Sequence, residues 1–134
     1  MYIQNLKKKK FKSIPAHNGQ GLIHMKFFHQ EFQNFREVDD LPIPDESFIK
    51  SSWNFIAYAE LPIGSTIGYH KHTNNDEIYF ILSGEATITV DQEEQIIKKG
   101  DIILTRTGSS HGIKNVKNKL KFYAIEILQK DLNK

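Results

Sequence analysis

From residue 51 onward the chain is a succession of short apolar runs separated by tight turns, and this pattern constrains the fold more than any other feature. "SSWNFIAYAELPIG" (51–64) alternates Trp53, Phe55, Ala57, Ala59 and Leu61 against Asn54, Ile56, Tyr58 and Glu60. That is a period of two with both faces fairly apolar, as in a strand held between two layers. "EIYFIL" (77–82), "ATITV" (86–90), "EQIIK" (94–98), "DIILT" (101–105) and "LKFYAIEIL" (120–128) follow at short intervals. Ser83-Gly84, Asp91-Gln92 and Lys99-Gly100-Asp101 supply the turns between them. Six or more short strands joined this way predict an all-β sandwich or barrel. Upstream, "GLIHMKFF" (21–28) reads as one more strand, while Pro42 and Pro44 disfavour a helix in the stretch before residue 51.

A chain of 134 residues without repeats or linkers suits one domain. The expectation is a single domain over 1–134, with a strand-and-loop extension at 1–50 and a barrel core at 51–128. The net charge of +2 offers no nucleic-acid surface, and Lys7 to Lys10 read as a solvated stretch. The absence of cysteine excludes disulfides and thiolate chemistry. No run approaches the ~18 apolar residues of a membrane span, and the first residues lack the apolar core of a signal peptide. The expected location is cytoplasmic.

"HKHTNNDEIYFILSG" (70–84) is where chemistry concentrates. Residues two apart on a strand share a face, so His70 and His72 can converge on one ion. Thr73-Asn74-Asn75 can turn the chain and return Glu77 beside them. An exposed polar loop would also account for these residues. "GDIILTRTGSSHGIKN" (100–115) then adds His111 after another strand and a glycine-bearing turn. Three imidazoles and a carboxylate suit one divalent transition metal (Zn, Mn, Fe, Ni or Co). The missing thiolates argue against common structural zinc sites.

The spacing resembles the two motifs of the cupin family. Gly64, His70, His72, Glu77 and Gly84 form the first, and Gly100, Gly108, His111 and Asn115 fall in the second. Nine of ten diagnostic positions match. At about one in twenty per position, a chance match at a given register is on the order of 10⁻¹¹. The departure is Arg106, where the family pattern usually has proline. The resemblance implies a small single-domain β-barrel of the double-stranded β-helix or jelly-roll type, with a metal held by His70, His72, Glu77 and His111. It also implies that Gly84 and Gly100 end strands, that Gly108 bends the backbone before His111, and that Asn115 braces this region through hydrogen bonds.

Other residues carry two readings each. Tyr79 lines the cavity or only packs. Glu126, in an otherwise apolar strand, is an exposed charge or an acid–base group. Arg106 is a solvated loop charge or an anchor for a substrate carboxylate or phosphate. His17 and His24 are structural or exposed by default, and Trp53 and Phe55 are core or dimer interface rather than substrate wall. Small cupins often pair, and Phe27, Phe28, Phe32, Phe35 and Trp53 supply aromatic surface, so a homodimer is expected.

A fold and a metal site do not select a reaction. The leading expectation is a metal-dependent enzyme of isomerase, lyase, decarboxylase or dioxygenase type. Its substrate would be a small polar, carboxylate-bearing metabolite such as a sugar acid, organic acid or amino-acid derivative, with Tyr79 or Glu126 moving a proton. The alternatives are a non-catalytic metal-assisted ligand-binding or sensing protein, and a cupin of natural-product pathways that joins amino acids through a nitrogen–nitrogen bond.

Overall fold

Strands dominate the computed structural model, which describes residues 5–30 and 53–128. After a single 3-10 turn at Leu6–Lys8 come β1 (Lys12–Ile14), β2 (Ile23–Gln30), β3 (Trp53–Leu61) and β4 (Ile67–Lys71). They are followed by β5 (Asn75–Val90), β6 (Glu93–Lys98), β7 (Ile102–Thr105) and β8 (Ser110–Leu128). Phe32, Phe35, Pro42 and Pro44 lie outside the described residues, as does the side chain of Trp53. Among the described residues no helix is long and apolar enough to cross a membrane.

All eight strands join one antiparallel sheet in the order β1-β2-β3-β8-β5-β6, with β4 added to β8 and β7 to β5. The barrel is organised by β5 and β8, of 16 and 19 residues, each far longer than a usual strand of about 5–6. They pair with each other from Asn75↔Leu128 to Val90↔His111. Each changes its second neighbour along the way. β5 meets β7 and then β6, and β8 meets β4 and then β3. Register shifts around Ser83 and Glu85 bend the pair, because bulges increase local twist and curvature.

This corrects two expectations. Ser83-Gly84 is not a turn between strands but a bulge inside β5. Gly84 takes φ +92°, and a Cβ there would stand 2.2 Å from the Lys119 carbonyl oxygen. The expected strand at 120–128 begins ten residues earlier, at Ser110. Asn115 lies exposed within it at φ 52°, a left-handed conformation asparagine tolerates. Gly100 does end a strand, in the turn between β6 and β7 at φ +90°.

Leu61, Ile81, Ile113, Leu120 and Phe122 are fully buried at the centre, each worth roughly 1.5–3 kcal/mol of burial. Phe27, expected as dimer surface, is 5% exposed and packs edge-on against Phe55 at 5.6 Å in the interior. On the opposite face of β3 and β8, Tyr58 packs against Tyr123 at 5.8 Å and donates to Glu60 Oε2.

The N-terminal segment is built into the sheet. β2 pairs with β3, and Ala16 forms a parallel bridge to Ile67. Gly68 N donates to the Ala16 carbonyl, and Thr66 N to that of Gln20. The approach is so close that a Cβ on Gly68 would lie 1.9 Å from the His17 carbonyl oxygen. Glycine is required there for space, which the sequence alone does not signal.

Candidate metal centre

Three elements deliver the site. β4 carries His70 one residue before its end at Lys71, and His72 follows the strand directly, with its backbone tied to the β7–β8 turn: His72 N donates to Ser109 O and Gly108 N to His72 O. β8 opens on Ser110 and His111, and His111 pairs with His70 across the strands. β5 contributes Glu77, flanked by Thr105 on β7 and Glu126 on β8.

The ligand-type nitrogens of His70, His72 and His111 lie within 4.8 Å of one another. His72 Nε2 and His111 Nε2 are 2.8 Å apart, and Glu77 Oε1 is 3.4 and 3.2 Å from them. Every Nδ1 is occupied. That of His70 faces the Gly68 carbonyl at 2.6 Å, that of His72 faces Asn75 Oδ1, and that of His111 faces Thr105 Oγ1 at 2.8 Å. Asn75 Nδ2 donates to the Thr73 carbonyl, which orients the amide. Engaged Nδ1 atoms fix the tautomers and leave the Nε2 lone pairs facing inward.

These residues fit a divalent metal. His70 Nε2 is buried without a hydrogen-bond partner among the described residues, a costly arrangement for a polar atom unless something accepts its lone pair. Donors about 2.1 Å from one ion stand roughly 3 Å apart at neighbouring corners, and the observed separations of 2.8, 3.2 and 3.4 Å fit that spacing.

The electrostatics agree. Burial works to raise the Glu77 carboxyl, but the His111 and His72 imidazoles hold it at about 2, so it is ionised. Burial lowers His70 to about 4 against the opposing Gly68 carbonyl, so its ring is neutral. For His72 burial is outweighed by Glu77 and Asn75, which raise it.

Beside the cluster, bordered by Glu77 but by none of the three histidines, lies a cavity of about 320 Å³ inside the barrel. Tyr79 lines it, buried, with its ring stacked on His111 and its hydroxyl 3.4 Å from His111 Nε2. Burial, reinforced by Glu77, pushes the Tyr79 phenol well above 10, so it stays protonated. Glu126 faces inward beside Glu77, and burial together with the Glu77 charge raises its carboxyl. His17 reaches the cavity as well, its ring stacked on His70 at 3.4 Å. His17 is exposed, within the expectation of a structural or exposed residue, and it also borders the cavity. His24 stays apart, bound to Ser13 Oγ. Phe55 lines the cavity, contrary to the expectation of core or interface alone.

Arg106 is exposed in the β7–β8 turn and is not among the residues lining the cavity. The loop around Arg106 is tied down by hydrogen bonds of its neighbours. Thr107 N donates to Asp76 Oδ1 and Asn74 N to Thr107 Oγ1, besides the two backbone bonds to His72.

Sequence reasoning missed two site residues. Thr105 had a signal: in "DIILT" it alternates with exposed Ile102 and Leu104, so its hydroxyl faces inward. Asn54 had a contrary signal, since strict alternation puts it opposite Phe55. A register shift between Trp53 and Phe55 makes it a bulge residue, and both Asn54 and Phe55 line the cavity.

A curled antiparallel barrel with an inward histidine cluster, delivered by β4, the residue after it and the start of β8, defines a class of small β-barrel proteins built around an interior site. Residues 57–127 match the cupin domain model, Cupin_2, and the chain belongs to the cupin family. It is 37% identical over 93 residues to the oxalate-binding protein of Thermotoga maritima, covering 69% of this chain and 77% of that one. Over 63 residues it is 41% identical to an uncharacterized protein of Methanocaldococcus jannaschii, covering 47% and 50% of the two chains. Among solved structures, a predicted oxalate decarboxylase from Thermotoga maritima superposes with a TM-score of 0.76 at 27% identity, covering 95% of this chain and 99% of that one. KdgF from Halomonas sp. superposes with a TM-score of 0.68 over 95% and 93% of the two chains, at 11% identity.

Proposed function

We propose that this protein is a metal-dependent cupin enzyme acting on a small carboxylate-bearing metabolite inside the barrel. The observation that carries the reading is the convergence of three imidazoles whose Nδ1 atoms are all engaged, beside the ionised Glu77. His70, His72, Glu77 and His111 are the residues that would hold the ion. Bound there, a divalent metal supplies Lewis acidity toward a carboxylate, carbonyl or hydroxyl oxygen. The names of the Thermotoga relatives, an oxalate-binding protein and a predicted oxalate decarboxylase, support a carboxylate ligand.

The chain's own residues divide the remaining work. Tyr79, protonated and 3.4 Å from His111 Nε2, is a hydrogen-bond donor that orients a ligand oxygen near the cluster. Its raised pKa makes it a poor proton carrier at neutral pH. Glu126 is better suited to hold and pass a proton, since burial and Glu77 shift it toward neutrality. The apolar wall, with Phe27, Phe122 and Ile67 among it, excludes water from that exchange. A non-catalytic ligand-binding role is the second reading, favoured by the name of the oxalate-binding relative. Under either reading the cytoplasmic homodimer is the working form, and Arg106, exposed and outside the cavity lining, is a solvated loop charge.

The test is elemental analysis of protein purified without a metal-affinity tag, followed by a turnover screen of small carboxylic acids with that metal. One metal per chain and consumption of a carboxylate by the parent but not by Glu126→Gln support the enzyme. Metal and saturable binding without turnover support the binder.

A further inference from the structure

The wall that carries Asn54 and Glu126 has a composition that oxalate does not explain. Asn54 is 2% exposed, and its Nδ2 donates to Glu126 Oε1 at 2.6 Å. That bond sets the amide with Oδ1 turned away from Glu126, and Oδ1 has no partner among the described residues. A buried acceptor left unpaired is destabilising, and the β3 bulge is what turns Asn54 toward the cavity. Apart from this pair and the polar groups of Glu77, Tyr79 and His17, the lining is hydrocarbon, with Ile14, Ile23, Met25, Phe27, Phe55 and Ile67 among it. Two carboxylates, Glu77 and Glu126, border the space, and no lysine or arginine does so among the described residues. The volume of about 320 Å³ falls at the lower end of ligand pockets, roughly 300–1,000 Å³.

We propose that Asn54 and Glu126 form a subsite that reads a hydrogen-bond donor on the ligand, so that the ligand is an acid whose carboxylate is separated by a hydrocarbon stretch from a hydroxyl or ammonium group. This rests on the reading of the histidine cluster as the place where the carboxylate is held. Oxalate is a poor match on three counts. It has no donor for Asn54 Oδ1, no hydrocarbon for the apolar wall, and, chelated to the ion through both ends, no reach to the Asn54–Glu126 pair. A site built to hydrogen-bond one group rejects analogues that lack it, because its own buried polar atom is then left unpaired.

The experiment is isothermal titration of the full chain loaded with Mn(II). The probes are short straight-chain ω-hydroxy and ω-amino carboxylates of increasing length, the unsubstituted acids of matching length, and oxalate. In the longer members of the series the far donor and the carboxylate cannot close a favourable small chelate ring on the ion, and only these members are compared, which separates the donor's contribution from the metal's. At one length the donor-bearing acid should bind at least about tenfold tighter than its unsubstituted match, the equivalent of one hydrogen bond of about 1.4 kcal/mol. Asn54→Leu should erase that preference while metal content stays at the parent's level. Glu126→Gln, which keeps the shape of the side chain, should lower affinity for the ω-amino acid more than for the ω-hydroxy acid. Equal affinity for donor-bearing and unsubstituted acids, tightest binding by oxalate, persistence of the preference in both variants, or no binding of any donor-bearing acid to fully metal-loaded protein would each overturn the subsite. Failure of the parent to retain Mn(II) would instead overturn the metal-centre reading on which it rests.

Discussion

The Thr105 hydroxyl stands 2.8 Å from His111 Nδ1, with both residues 1% exposed, and Thr105 is at the same time the cross-strand partner of Glu77. One small residue at the end of β7 therefore sets the orientation of an imidazole on β8 from beside a carboxylate on β5. Thr105→Val keeps the volume and removes the hydroxyl. Metal affinity should fall about 10–100-fold, the usual effect of removing such a support, as read by competition with a chelator. Denaturant unfolding of the metal-free protein should show a loss of about 1–3 kcal/mol from the unpaired Nδ1. Unchanged affinity would mean that His111 is held by packing on Tyr79 alone.

His72→Ala should remove most of the bound metal and leave the β-sheet circular dichroism unchanged, since the central side chains are apolar and fully buried without an ion. A variant as metal-loaded as the parent would sink the ligand assignment.

Metal affinity should depend on pH in two separate regions. An imidazole must lose its proton to bind a metal. His72 lies above the usual 6.5 and His70 at about 4. Affinity should be full above the raised His72 value, decline as pH falls through it, and meet competition at His70 only near pH 4. Titration calorimetry from pH 8 to pH 5 checks the first region, where a flat profile would exclude His72 as a ligand. Glu77 acts in the opposite range. Its folded pKa of about 2 lies below the ordinary 4.5, so its contribution to stability is present above 4.5 and is lost as pH falls toward 2.

Gly84→Ala should destabilise the barrel by at least about 1 kcal/mol, because alanine is strained at φ +92° and its Cβ would press on the Lys119 carbonyl. Urea unfolding measures this, and a neutral result would mean that the bulge relocates to a neighbouring residue.

Arg106→Lys keeps the charge and loses the planar fork. With Arg106 exposed and outside the cavity lining, carboxylate affinity should change by less than about twofold. A tenfold loss would establish Arg106 as an anion contact.

Much of this architecture was legible from alternation and spacing. The five glycine, histidine and glutamate positions from Gly64 to Gly84, with His111 later, announced a juxtaposition that the fold brings about. The rest was hidden wherever the chain departs from period two. Gly84 looked like a turn because glycine after serine usually makes one, yet the pairing of β5 with β8 continues through it with shifted register. Asn54 looked outward because a bulge is invisible to a counting rule. Glu126 could be placed only once its partner was known: opposite Glu77 it shares the inner face, whereas a shift of one residue would have sent it to solvent.

The bridge between Ala16 and Ile67 also bears on the order in which the molecule assembles. β4 is a short strand supported on one edge by β8 and on the other by the backbone around Ala16. Both supports come from distant parts of the chain, so the entropy of closing two long loops opposes the docking of β4 until the central β5–β8 ladder exists to receive it. His70 and His72 thus reach Glu77 and His111 late. An ion held by these residues would join β4 to β5 and β8, and so act as a clasp across the closure that brings β4 into the barrel.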